Sequence, residues 1–240
     1  MQTDNDRWLI KRAGIPTSSN ASRLCTFATD KKSKGKPFFT YVEEKKNEVR
    51  SGRGIGNEFF SRPTSWGSLL ELYVHERKLS DEFILINKTF LLSECGEFGG
   101  TPDLLKLNVV GELKCPFSLI GFFELEKCIS EGMDFFKKKK PKYYWQIVQN
   151  SILTDCTKGE ILDFCPKESE LDHIRQFADE FICDNPYEYK WIVDAQNNAL
   201  PHLKDDSKVE GFQRLEFDID QNDVDFLMTR TKEAYKLIHE

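Results

Sequence analysis

Asp103, Glu112 and Lys114 are the residues of this chain whose types and spacing best suit a chemical task. They occur as Gly100-Thr101-Pro102-Asp103, then eight residues, then Glu112-Leu113-Lys114. Two carboxylates offer hard oxygen ligands for Mg²⁺ or Mn²⁺, and the Leu113 backbone carbonyl adds a third. A cation held there would polarise a scissile phosphate and lower the pKa of a bound water. Lys114 would orient that water or stabilise the charge of a pentavalent transition state. The same pattern also arises in a salt-bridged surface hairpin, where Glu and Lys alternate because one face is wet. Taken alone, the three residues leave both readings open.

The elements that must position them follow from local pattern. Residues 83–86, 89–92 and 108–115 are short, apolar, β-branched runs that read as buried strands. Residues two apart in a strand share a face, so Glu112 and Lys114 project together and Leu113 points into the core. Pro102 forces an extended turn, which leaves Asp103 at the start of a neighbouring strand. The three side chains then converge at one end of a twisted sheet. Residues 65–77 have the spacing of an amphipathic helix with Leu69, Leu70, Tyr73 and Val74 as its stripe. Glu71 lies beside that stripe, where it either points into a cleft or pairs with Lys78 or His75.

Further along, residues 117–136 read as a helix. Residues 143–153 read as another, with Gln146 and Gln149 on a face away from Tyr144, Ile147 and Val148. Residues 160–165 suggest a strand, 168–183 a helix, 189–193 a short strand-like run, and 214–219 an alternating, half-buried strand. Residues 221–240 form a last amphipathic helix. The fold class is α/β, a central mixed sheet with helices on both sides, in a single domain over residues 1–240.

Near the N-terminus, Gly14 and Pro16 mark a turn, and Thr17, Ser18 or Ser19 can cap a short helix starting near Asn20. Hydroxyls at a helix N-terminus beside Arg12 suit a phosphate, although a capped helix with a surface arginine has the same pattern. Residues 28–62 are polar, with one apolar patch at residues 38–42. The glycine-rich residues 50–56 lack the lysine and spacing of a P-loop and read as a loop.

Composition bounds the partners. The 240 residues are 39% hydrophobic, enough for a full core. The mean hydropathy of −0.52, with no apolar run approaching a bilayer's span, excludes a membrane helix. Residues 1–7 lack the basic and apolar regions of a secretory signal. Seven scattered cysteines point to a reducing cytoplasm. No C-x-x-C pair supports an iron–sulfur cluster, and no histidine pair supports zinc. The net charge of −6 argues against a phosphate-rich partner, unless Lys31, Lys32, Lys34 and Lys36 with Lys137–140 and Lys142 line a basic channel.

The Pro-Asp…Glu-x-Lys core resembles the PD-(D/E)xK nucleases. Glu112-Leu113-Lys114-Cys115-Pro116-Phe117 is similar to the corresponding segment of the lambda exonuclease-like, YqaJ-type viral recombinases. Three more stretches match that family in order: Arg12-x-Gly14-x-x-Thr17-x-Ser19, Trp66-Gly67-x-x-x-Glu71 and Tyr143-x-x-Gln146. The family's second glutamine commonly follows two residues after the first, whereas here Gln149 follows three later. The likeness covers residues 8–165, and the C-terminal third is read on pattern only.

The resemblance implies a restriction-endonuclease-like core. It implies two Mg²⁺ (or Mn²⁺) ions at Asp103, Glu112, Glu71 and the Leu113 carbonyl, with Lys114 and Gln146 completing the catalytic set. Arg12, Ser19 and Thr17 would meet a DNA 5′-phosphate, and Thr101 and Tyr143 would contact DNA. The expected activity is 5′-to-3′ digestion of linear duplex DNA, leaving 3′ overhangs for recombination by strand annealing. A homotrimeric ring, a single-strand annealing protein as partner, and the cytoplasm of a bacterium or phage-infected cell complete the expectation. Two alternatives differ in one feature each. A PD-(D/E)xK endonuclease of repair or restriction type needs no end-recognition socket, and a non-catalytic DNA-end-binding protein would lack part of the acidic and lysine set.

Overall fold

A computed structural model describes residues 9–55, 61–86, 89–182 and 186–240; residues 1–8, Gly56 of the glycine-rich loop and Cys183 lie outside them. In chain order the helices are α1 (Ala21–Leu24), α2 (Lys36–Ser51), α3 (Arg62–Val74), α4 (Leu119–Ser130), α5 (Met133–Lys139), α6 (Pro141–Thr154), α7 (Leu171–Glu180), α8 (Pro186–Val193) and α9 (Gln221–His239). The strands are β1 (Ile84–Leu85), β2 (Leu91–Leu92), β3 (Gly99–Gly100), β4 (Leu104–Lys106), β5 (Val109–Lys114), β6 (Lys158–Phe164) and β7 (Phe212–Asp218).

The central sheet runs β1-β4-β5-β6-β7, with β5 and β6 parallel and the other neighbours antiparallel. Parallel neighbours need a long crossover, and α4, α5 and α6 supply it between β5 and β6. Both strands are buried along almost their whole length, because helices cover both faces of the sheet. Leu104, Leu113, Leu162 and Phe164 face α3, α7 and α8, packing on Trp66, Leu70 and Ile174. Val110, Ile161 and Phe217 face α4, α5, α6 and α9, packing on Leu125, Phe136, Ile147 and Leu227. This is the α/β arrangement the sequence pattern predicts, with a mixed sheet between helical layers.

Several local expectations are corrected. Residues 189–193 are part of α8, not a strand: Tyr189 and Ile192 are buried three positions apart, and the helix opens on Pro186, a residue suited to a first turn. Residues 117–136 are two helices, broken at Gly132, whose φ of +88° only glycine adopts freely. Each of the runs 83–86 and 89–92 contributes only a two-residue ladder, and Ile84 and Leu92 are exposed. The first run forms the sheet's edge, and the second pairs with β3 in a separate ribbon.

The largest surprise lies in the polar stretch 28–62, which holds the 16-residue helix α2. Its buried face is Phe38, Tyr41, Val42, Lys45 and Glu48. Two charged residues stand where the apolar repeat should continue, so the helical period is hidden. Gly52 at φ +69° closes the helix in the left-handed conformation.

Candidate active site

β5 carries the centre of the site. Along it, Leu113 enters the core against α3, while Val110 and Glu112 turn to the α6 face. Glu112 is only 1% exposed, yet it is a carboxylate in a strand packed between helical layers. One of its oxygens accepts hydrogen bonds from Lys114 Nζ and Gln146 Nε2. The other, Oε2, is buried without a hydrogen-bond partner.

Asp103 stands immediately before β4, and its Oδ2 accepts the Leu113 N–H at 3.0 Å. That bond ties the loop after Pro102 to β5 and holds the carboxylate 3.7 Å from Lys114 Nζ. Lys114 is therefore shared between two carboxylates, with its ammonium 5.5 Å from the centre of the Tyr143 ring. Asp103, Glu112, Lys114 and Gln146, expected to act together, come together. Tyr143, expected at the DNA, also supports the lysine.

Glu71, Ser68 and Leu72 of α3 form one wall of a cleft of about 280 Å³, opposite Thr101, Pro102 and Asp103 and beside Leu85 and Tyr189. Of the partners that a surface reading of Glu71 would use, Lys78 pairs with Glu170, and His75 Nε2 bonds the Phe83 carbonyl. Glu71 is close enough for its charge to be felt at Glu112 and Lys114. Tyr189 on the cleft wall escaped sequence reasoning because its segment read as a strand.

The electrostatics are strained. Burial, reinforced by the negative charge of Asp103, pushes the Glu112 carboxyl up to about 8. Burial also raises the Asp103 carboxyl, against the pull of Lys114. At Lys114 burial works against the charge, but Glu112, Asp103 and Glu71 outweigh it and hold the ammonium above its ordinary value. Lys114 is thus a fixed cation rather than a base.

The residues present fit a hard divalent cation. The side-chain donors are all carboxylates, Asp103 and Glu112 share Lys114, and Glu112 Oε2 is a buried acceptor without a hydrogen-bond partner among the described residues. As placed, no three His, Cys, Asp or Glu side chains among the described residues stand close enough to hold one ion together. Mg²⁺ commonly takes only one or two carboxylates and fills its shell with water and substrate phosphate.

The N-terminal segment reaches the same end of the sheet. Gly99 N–H donates to the Pro16 carbonyl at 2.9 Å, and Thr17 bridges to Gly99. Gln149, whose role the sequence left open, is buried on α6 and donates to the Gly99 carbonyl at 3.0 Å, with the Pro16 carbonyl 3.5 Å away. One turn of α6 therefore carries Gln146 to the carboxylates and Gln149 to the N-terminal segment. Gly100 allows this approach: a Cβ there would meet Ser18 Oγ at 2.5 Å and Asn150 Oδ1 of α6 at 2.6 Å. Asp103 is only three positions after Gly100, a span of at most about 11 Å.

Within the segment, Ser18–Asn20 is a 3₁₀ turn leading into α1, with Thr17 at its cap position but no side-chain capping bond. Thr17 is 2% exposed, and its hydroxyl lies among Tyr41, Ser19 and Asn20. Arg12 and Ser19 keep partial exposure, and the Arg12 guanidinium sits 5.7 Å from the Phe90 ring centre. In the lysine clusters, Lys34, Lys137 and Lys140 are paired with Glu233, Asp223 and Glu124.

With this geometry in view, comparison with solved structures is informative. The alkaline exonuclease LHK-Exo from Laribacter hongkongensis, one of whose structures is a complex with dAMP, aligns over 97% of this chain and 92% of its own, with a TM-score of 0.61 and 15% identity. The chain shares the fold of that exonuclease. A phage-related exonuclease from Haemophilus somnus 129PT aligns over 93% of each chain, with a TM-score of 0.57 and 15% identity. No family model and no curated protein matches the sequence. The shared fold extends past residue 165, where the sequence likeness faded, into the C-terminal third. Among the described residues no helix is long and apolar enough to cross a membrane.

Proposed function

We propose that the chain is a Mg²⁺-dependent exonuclease that digests linear double-stranded DNA from its 5′ ends and leaves 3′ overhangs. The observation that carries this reading is the convergence of Asp103, Glu112, Lys114 and Gln146 at one end of a sheet whose fold is shared with two exonucleases. Asp103 and Glu112, with Glu71 and the Leu113 carbonyl, would hold one or two Mg²⁺ (or Mn²⁺) ions. When bound, such a cation supplies Lewis-acid polarisation of the phosphodiester.

The chain's own residues do the rest. Lys114, kept charged by its carboxylate neighbours, donates to a phosphate oxygen or to the attacking water. Gln146 holds the Glu112 carboxylate from the α6 side without adding charge. Tyr143 backs the lysine and Thr101 lies on the cleft wall, both within reach of a bound strand. Arg12 and Ser19, with Thr17 behind them, would receive a terminal 5′-phosphate. The complex of LHK-Exo with dAMP supports the reading, because a deoxynucleoside monophosphate is what such an exonuclease releases. A homotrimeric ring around the duplex, a single-strand annealing partner and a cytoplasmic site of action belong to the same proposal.

The test is digestion of end-labelled duplex DNA with Mg²⁺ by wild type and Lys114→Ala. Linear DNA with 5′-phosphate ends, the same DNA with 5′-hydroxyl ends, and a closed circle are compared. Loss of linear DNA alone, faster with 5′-phosphate and absent in the variant, is the expected result. Cutting of the circle would replace this reading with an endonuclease. No Mg²⁺-dependent cutting of any substrate would leave a DNA-end-binding protein.

A further inference from the structure

The helix hidden in the polar stretch carries a second buried polar group that the chemistry above does not use. On α2, Tyr41, Lys45 and Glu48 lie at successive helical intervals and are 2%, 5% and 9% exposed. Each is directed at the backbone of residues 12–17. Tyr41 Oη accepts the Thr17 N–H at 2.9 Å and lies 3.3 Å from the Thr17 hydroxyl. Glu48 Oε2 accepts the Gly14 N–H at 3.2 Å and Lys45 Nζ at 2.7 Å. Lys45 Nζ also reaches the Arg12 carbonyl at 3.5 Å.

Gly14 itself is at φ +71°, and a Cβ there would stand 2.4 Å from Val49 Cγ2. Helix and turn are therefore in direct contact. Above Tyr41, the Arg23 guanidinium stacks at 4.8 Å from the ring centre and is clamped by Glu44 at 2.6 and 2.8 Å.

A buried ion pair is a weak way to stabilise a helix interface, and apolar residues of similar size do as well or better. What Lys45 and Glu48 do that apolar residues would not is hold specified backbone atoms. One end of the pair fixes the Arg12 carbonyl, the other fixes the Gly14 N–H, and Tyr41 fixes Thr17. The spacing and aim of Arg12 and Ser19 depend on the backbone between them.

We propose that Tyr41, Lys45 and Glu48 are positioning residues for the 5′-phosphate segment, presetting the backbone of residues 12–17 so that Arg12 and Ser19 meet one phosphate. This rests on the proposed function of that segment. It assigns recognition of the DNA end to a helix remote in pattern from the nuclease motifs.

The experiment measures binding and cleavage by wild type, Tyr41→Phe, Lys45→Met, Lys45→Arg and Glu48→Gln, with the thermal midpoint of each. Binding is read by fluorescence polarisation on blunt duplexes with 5′-phosphate or 5′-hydroxyl ends in EDTA, where hydrolysis does not contribute. Cleavage is read as the ratio of kcat/KM for the two ends. Losing a charge-assisted hydrogen bond in this network should lower the 5′-phosphate preference about tenfold in Lys45→Met and Glu48→Gln. The neutral bond of Tyr41→Phe should lower it about threefold, and Lys45→Arg should recover part of the loss.

A purely structural role would lower the thermal midpoint and leave the preference ratio unmoved. An unmoved ratio in the folded Tyr41→Phe and Lys45→Met proteins overturns the positioning role while leaving the socket intact. Absence of any 5′-phosphate preference in wild type overturns the socket itself, and the positioning role with it.

Discussion

Two glutamates on neighbouring strands of one sheet are buried equally and treated oppositely. Glu160 on β6 is 2% exposed and Glu112 on β5 is 1% exposed. Both oxygens of Glu160 are taken, one by Arg214 Nε at 2.6 Å and the other by Lys106 Nζ at 2.9 Å. The same two cations reach Glu82 at 2.7 Å each, and Lys106 and Lys158 reach Glu216 at 3.3 and 2.9 Å. Three acids (Glu82, Glu160, Glu216) meet three bases (Lys106, Lys158, Arg214), and the group closes on itself. Two hydrogen-bonded cations hold the Glu82 carboxyl down at about 2.

Glu112 points to the opposite face of the sheet, where it shares Lys114 with Asp103, feels the charge of Glu71, and keeps Oε2 without a hydrogen-bond partner among the described residues. One glutamate is met by a cation at each oxygen, whereas its neighbour keeps a buried oxygen without a hydrogen bond, an arrangement that suits the cation-binding role proposed for Glu112. The balanced group ties the sheet together, and the other is the candidate site.

The sharpest way to break this contrast is to neutralise each glutamate in turn. Glu112→Gln keeps the shape and removes the charge, so Mg²⁺-dependent digestion should fall by about a hundredfold or more, with a metal-free thermal midpoint no lower than wild type. Glu160→Gln should leave digestion in place and cost about 2 kcal/mol, less than a fully buried pair because Arg214 and Lys106 keep partial exposure. The reverse pattern of activity and stability would overturn the comparison.

Metal binding gives the next largest effect. Mg²⁺ at about a hundred times its Kd should stabilise the wild type by about 2.7 kcal/mol, roughly 5–10 °C in a thermal scan. Asp103→Asn and Glu112→Gln should lose that shift, and an equal shift in the variants would place the ion elsewhere.

A smaller effect sharpens the same point with an acid that has no ion pair among the described residues and feels only the more distant charge of Lys140. Asp163 on β6 is fully buried, and neither carboxyl oxygen has a hydrogen-bond partner. Burial holds its carboxyl at about 8, far above the ordinary 3.8. The folded state therefore keeps a proton that the unfolded chain releases between those values. The contribution of Asp163 to stability falls as pH rises through this window and levels off above it. Asp163→Asn should gain on wild type in urea midpoint between about pH 4 and pH 8, and an unchanging difference would mean that the carboxyl is solvated.

Legibility followed the physics of each signal. Glu112-Leu113-Lys114 alternates across a strand, so its two-faced character shows in three residues. Asp103 is placed by a proline, whose effect on the backbone is local. Helix α3 was legible because its stripe is apolar, and Glu71 could be placed beside it. Helix α2 was not, because Lys45 and Glu48 occupy its buried face, and a period in hydrophobicity vanishes when buried positions are charged. Residues 189–193 misled because five apolar-rich residues fit a strand or a helix turn equally well. Gln149 was visible as a glutamine on α6, but its partners are backbone carbonyls at Pro16 and Gly99, which no side-chain pattern encodes.

The sequence by itself determined the chemistry on offer: carboxylates and a lysine on adjacent strands, a glutamine helix downstream of them, and an arginine and hydroxyl segment near the N-terminus. Residue type and short-range period carry that information. Only the tertiary structure decided that β5 and β6 lie parallel with a three-helix crossover between them. It alone brought Gln146 onto Glu112, left one Glu112 oxygen without a partner, and laid α2 under residues 12–17. Those facts depend on contacts between residues 24 to 49 positions apart, where burial and charge balance are set by the packed whole and no local pattern reports them.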